Sequence, residues 1–157
     1  MRDLAELRIT DGGHPTARQA PTADAVASFQ REFGLILPGE YLTLLRFTNG
    51  GHPELDTFVT PGDPNSNQWA VNRFFHLCED RSAPDSLWVA MHRWRSQLGT
   101  QAVPFASDAG GNPFFLDLTE TPPRVKACVH DNNWAIVDLA PTFGVFVDSL
   151  SVNPDYI

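Results

Sequence analysis

The densest group of metal-ligating and nucleophilic side chains in the 157 residues is His76, Cys78, Glu79 and Asp80, with His52, His92 and His130 elsewhere. A zinc site would take these residue types at spacings such as HExxH or paired CxxC, which fix tetrahedral geometry locally. Neither spacing occurs. Alternation instead puts His76 and Cys78 on one face of a strand and leaves Glu79 and Asp80 to solvate a loop. Asp108, Asn112 and Asp117 form a second set, with the oxygens for acid–base work or calcium. A calcium loop needs four or more oxygen ligands in tight alternation, and only Asp108 and Asn112 lie close. These residue types at that spacing hydrogen-bond their own turn. Asp117 reads either as the solvent-facing member of a strand or as a second turn-bonding acid. An enzyme or metal protein would rest on His76, Cys78, Asp108 and Asp117. A hydrolase elbow, G-x-S-x-G, is absent. Gly110 and Gly111 precede a strand and no lysine follows, so they form no phosphate cradle. The expectation is a protein without catalytic residues, metal or cofactor.

The elements that carry these residues follow from caps and periodicity. Residues 1–21 are weakly patterned and read as an N-terminal arm, with Asp11 to Ala20 a loop or loose arm, and 22–157 as a single domain. Thr22 caps a helix on which Val26, Phe29 and Phe33 recur, closed by Gly34. Pro38 opens a second helix that buries Tyr41, Leu44 and Leu45. Asn49, Gly50 and Gly51 stop it, since Asn and Gly tolerate the left-handed conformation. Residues 53–67 hold three prolines and read as a long loop or loose hairpin around Thr57 to Thr60. Trp69 to Leu77 favours a strand. Leu87, Met91, Trp94 and Leu98 mark one face of a helix. Strands follow at Val103 to Ala106, near an edge because of Pro104, then at Phe114 to Leu118 and Arg124 to His130. Trp134 to Val137 extends the meander, and Pro141 opens a last helix with Phe143, Phe146, Val147 and Leu150. Helices around hairpin-linked strands make an α+β domain with a central antiparallel sheet flanked by helices.

Charge narrows the partners. Nineteen acids oppose eleven bases, a net charge of -8. A chain this acidic does not bind nucleic acid through phosphates, nor cling to anionic lipid. Up to Thr48 the net charge is -1 and from Asn49 onward it is -7. That imbalance is either a solvated acidic face or one that complements a basic partner protein. Cys78 and Cys128 lie fifty positions apart, as small hydrophobes in a reducing compartment do. No apolar leader opens the chain and no 18-residue apolar run occurs, so a cytoplasmic location is expected. Trp94 belongs to its helical stripe. Trp69, after a polar loop, is free to face a partner, and Trp88, one position off the stripe, is expected to be exposed. With Asp56, Asp63, Glu79, Asp80 and Asp85 as a rim, they make a candidate partner-binding surface.

Three blocks, in order, resemble the SMI1/KNR4, or SUKH, superfamily. The first is FQREFGLILPGEYLTLLRFTNGG, from Phe29 to Gly51, in which Pro38, Tyr41, Asn49, Gly50 and Gly51 match the pattern. The second is VPFASDAGGNPFFLDL, from Val103 to Leu118, with Asp108, Gly111 and Asn112 at its acidic turn. The third pairs RVKACVHD with LAPTFGVFVDSL. The resemblance implies an α+β fold in which these residues are structural. It also implies a non-catalytic function: many bacterial members are immunity proteins that neutralise toxin domains, often nucleases, delivered between competing cells. Fungal members are regulatory scaffolds with long disordered flanks, which these 157 residues do not show, so the bacterial type is the expectation. The partner is then a basic cognate toxin protein. A regulatory or scaffold module binding an endogenous partner is the alternative, and oligomeric state stays open. The long loop from Pro53 to Gln68 and the helix around Leu87 to Leu98 depart from the family pattern.

Overall fold

The computed structural model describes residues 1–60 and 67–153. Two helices come first. In α1 (Ala23–Phe33) the Thr22 hydroxyl accepts from the Ala25 N–H at 3.0 Å, and Val26, Phe29 and Phe33 are buried. In α2 (Gly39–Phe47) Tyr41, Leu44 and Leu45 are buried. A two-stranded ribbon, β1 (Thr57–Val59) with β2 (Gln68–Ala70), follows. Then come β3 (Arg73–Phe74), α3 (Leu87–Leu98), β4 (Ala102–Ser107), β5 (Pro113–Asp117), β6 (Arg124–Val129), β7 (Ala135–Ala140) and α4 (Phe143–Asp148). Strands β3 to β7 form one antiparallel sheet in chain order. This is the expected α+β meander.

Strand alternation divides the sheet into two faces. Phe105 and Phe114 meet α4 through Phe146, with ring centroids 5.7 and 5.9 Å away, and Phe143 of α4 meets Tyr41 of α2 at 5.5 Å. Phe115, Ala102 and Cys128 face the other way and pack with Leu98 of α3. Edge-to-face ring pairs at these distances add about 0.5–1.5 kcal/mol each beyond the area they bury.

Three expectations are corrected. The N-terminal arm is not separate from the domain at its start: a 3-10 turn at Leu4–Leu7 buries both leucines in the core, and Thr10 bridges His52. Two leucines are too few to show a period in the sequence. The single strand expected from Trp69 to Leu77 is broken into β2 and β3, because the chain changes sheets at Val71 and Asn72, whose N–H groups donate to Asp56 and Ser107. Pro104 stands near an edge as expected, on β4 next to the edge strand β3. It is tolerated because β3 pairs only with Ala106 and Ser107 and a bulge falls between Pro104 and Ala106. Trp88, expected at the surface, is 2% exposed. Helix α3 packs against α1 as well as against β4, so its buried arc is wider than the stripe from Leu87 to Leu98.

Candidate partner-binding surface

The asparagine and two glycines after α2 form a seam where three segments meet. Asn49 is 3% exposed. Its amide donates to the Leu77 carbonyl at 2.8 Å and the Gln19 carbonyl at 2.9 Å, and its Oδ1 accepts from the Leu77 N–H at 2.8 Å. It was expected to close α2 in a left-handed conformation, yet the left-handed residues are Gly50 (φ 86°) and Gly51 (φ 116°). A Cβ on Gly51 would lie 2.8 Å from Ile9 Cγ2 and 2.9 Å from the Thr10 carbonyl oxygen. One on Gly50 would lie 2.9 Å from His76 Cβ. Both conformation and space therefore demand glycine. Tyr41 is fully buried, and its hydroxyl finds no partner among the described residues.

The acidic turn is likewise absorbed by the fold. Asp108 Oδ1 accepts from the Asn112 N–H at 2.8 Å and Oδ2 from its side-chain amide at 2.9 Å. Asn112 Oδ1 in turn accepts from the His130 N–H at 3.0 Å, tying the β4–β5 turn to the end of β6. Gly111 (φ 85°) supplies the turn's positive φ. Asp117 takes neither predicted role alone. It pairs with Lys126 Nζ at 2.6 Å and accepts from the Thr119 N–H at 3.0 Å, while Glu120 stands 3.0 Å from the same ammonium. Burial pulls the Asp117 carboxyl upward, but the hydrogen bonds from Lys126 and Thr119 outweigh it and hold it below the usual carboxylate range.

His76 and Cys78 do not converge on a ligand. The His76 backbone bonds Asp85 and Leu87, while the Cys78 thiol donates to the Asp80 carbonyl at 3.2 Å. Burial pushes the Cys78 thiol up, away from a thiolate nucleophile. Among the described residues no three His, Cys, Asp or Glu side chains gather as a metal site would require. Burial, then the Arg18 charge, lowers the His76 pKa, against weaker opposing contributions from Asp85 and Asp11. The imidazole is thus buried neutral. Its contribution to stability is complete above about pH 6.5, the unfolded value, and is lost as pH falls from there towards the folded value. Chemical denaturation between about pH 7 and 5 should show stability falling with acid, and His76→Gln should flatten that slope. An unchanged slope would exclude this histidine as its source.

The acids of the expected rim are separated by the fold. Asp56 accepts from the Thr57 hydroxyl at the start of β1. Glu79, Asp80 and Asp85 belong to the connection from β3 to α3. Glu79 and Asp80 are exposed, whereas Asp85 pairs with Arg73 at 2.9 Å. Asp80 also accepts from the Ser82 hydroxyl at 2.8 Å, the main reason its carboxyl titrates low. Asp63 lies outside the described residues. Trp69 is half-buried against Phe114, centroids 6.2 Å apart, and its indole N–H has no acceptor among the described residues.

The exposed apolar side chains are others, among them Ile36 (74% exposed), Phe47, Trp134 and Ile136. Ile36 borders an apolar cleft of about 450 Å³ with Pro38, Pro122 and Phe143 on its walls. Trp134, at φ 59° in the β6–β7 turn, is held by Trp94 of α3 with centroids 5.8 Å apart. An aromatic residue directly after the Asn132–Asn133 turn signal was the available clue.

The sheet with helices on both faces, the LP-opened second helix and the seam at Asn49 to Gly51 can now be set beside known families. The model of the SMI1/KNR4 family (SUKH-1) matches residues 20–149. The chain belongs to the SMI1/KNR4 family. No curated protein matches it. The family match runs from the residues before the Thr22 cap through α4, so it includes both α3 and the Asn49 seam. In this SMI1/KNR4 domain no described helix is long and apolar enough to cross a membrane.

Proposed function

We propose that this SMI1/KNR4 protein is a cytoplasmic immunity protein that binds and neutralises a basic toxin domain by occlusion, without catalysis. One observation carries the reading: the polar side chains best suited to chemistry already serve the fold. Asp108 and Asn112 hold a turn, Asn49 joins three segments, Asp117 is paired, and His76 is buried neutral. What remains free at the surface is charge, a net -8 over the chain, together with isolated apolar anchors. Such a surface suits electrostatically steered association with a cationic protein. Family membership supports the same reading.

The test is survival of cells that express the C-terminal end of whatever polypeptide the adjacent upstream reading frame encodes, with and without this protein. Protection supports the proposal, and killing despite normal expression overturns it. In the purified pair, Glu79→Lys with Asp80→Lys should slow association about tenfold at low salt and flatten its salt dependence. Unaltered association kinetics would remove the β3–α3 connection from the interface, and Asp56 and Asp63 would be reversed next.

A further inference from the structure

Strand β7 ends the sheet, and its outer edge has no partner among the described residues. The sheet order stops at β7, no isolated bridge involves residues 135–140, and the remaining backbone bonds include only Ala135 to its own turn. Edge strands are ordinarily guarded by lysine, proline or a covering element. β7 reads AIVDLA and has neither residue.

Both faces beside this edge are shaped. On one, Trp69, Val129 and Val137 line a groove of about 470 Å³. On the other, Ile136 stands half exposed beside a cleft of about 340 Å³ floored by Phe115, and Trp134 closes the turn just before the strand. A strand laid along β7 would direct alternate side chains to the Trp69 groove and to the Ile136–Trp134 side. From Asp108 to Ala140 the chain carries five carboxylates and two cations, and both cations, Arg124 and Lys126, are engaged in ion pairs. Asp138, on β7 itself, is 52% exposed and pairs with Arg124, while Asp131, in the turn before the strand, is 86% exposed. Two copies meeting edge to edge would bring like charges together, whereas a basic segment meets opposite charge.

We infer that β7 is the docking edge for a basic, extended segment of a partner protein, which adds to the sheet as a sixth strand. This rests on the immunity reading for the partner's origin, and its chemistry is that of alternating cationic and apolar side chains.

The probe is an end-blocked peptide of about eight residues alternating arginine and valine, with a glutamate–valine counterpart, added to the isotopically labelled protein. The arginine peptide should slow amide exchange within residues 135–140 about tenfold. The glutamate peptide should not. Ile136→Lys should abolish the protection while leaving the thermal unfolding midpoint unchanged. Three results overturn the inference: no protection at β7, equal protection by both peptides, or concentration-dependent protection of these amides without peptide, which would mean a second copy. The survival assay separates the two proposals. A wild-type chain that fails to protect overturns the immunity reading and leaves the peptide result standing. Equal protection by Ile136→Lys and wild type overturns the edge and leaves immunity intact.

Discussion

Replacing Trp88 by alanine should destabilise the domain by about 3–5 kcal/mol, the range for emptying a large buried aromatic site. Its ring meets Phe29 at 5.2 Å and Phe33 at 5.8 Å, and the Arg81 guanidinium stacks over it at 4.2 Å. The indole N–H donates to the Cys78 carbonyl at 2.8 Å. Truncation therefore loses the indole's contacts with Phe29 and Phe33 of α1 and leaves a carbonyl without its donor, in the loop that carries Glu79 and Asp80. Domains of this size are stable by about 5–15 kcal/mol, so a large share of the margin disappears. Trp88→Phe should recover part of it, by keeping the rings in contact and losing only the hydrogen bond. Urea denaturation followed by circular dichroism reads the difference. A wild-type unfolding curve for Trp88→Ala, combined with weaker partner binding, would return this tryptophan to the surface.

Asn49→Ala is the second large effect, at about 2–5 kcal/mol. Removing this amide leaves both the N–H and the carbonyl of Leu77 unpaired in a dry site, and each buried orphan costs about 1–3 kcal/mol. The Gln19 carbonyl is released as well, loosening the segment that leads into α1. Asn49→Asp keeps the acceptor for the Leu77 N–H but sets a carboxylate oxygen against the Leu77 carbonyl. It should therefore recover little near neutral pH. Hydrogen exchange at the Leu77 amide checks the mechanism, since it should quicken out of proportion to global unfolding. If Asn49→Ala unfolds at the same denaturant concentration as wild type, the seam does not rest on this side chain.

These two residues show where local pattern stops being informative. The start of α1 at Thr22, its stop at Gly34 and the self-bonded turn at Asp108 and Asn112 were readable, because each depends on partners within a few residues. Asn49 looked like a helix stop because its neighbours are glycines, but its true partners are 28 and 30 positions away. Trp88 looked exposed because one stripe was counted on α3, and a second helix packed beside it is invisible to periodicity. Ile136 lies on the expected meander strand, whereas Trp134 belongs to the turn before it. That β7 would be the last strand, with an open side, depends on the order of the whole sheet and not on the residues of β7. The acids of the expected rim were grouped by closeness in sequence, and the fold places Asp56 at β1 and Glu79, Asp80 and Asp85 ahead of α3.

The beginning and end of the described chain are clasped. The Arg2 N–H bonds the Asp148 carboxylate, and its guanidinium donates to the Leu150 carbonyl at 2.7 Å. First and last described elements held this close let a domain sit inside a longer polypeptide as a closed bead. Force applied through such flanking chain would peel the clasp apart at one corner rather than load the sheet along its strands. The same closure makes this domain a suitable subject for circular permutation, with new ends opened in a surface turn and the old ones joined by a short flexible splice.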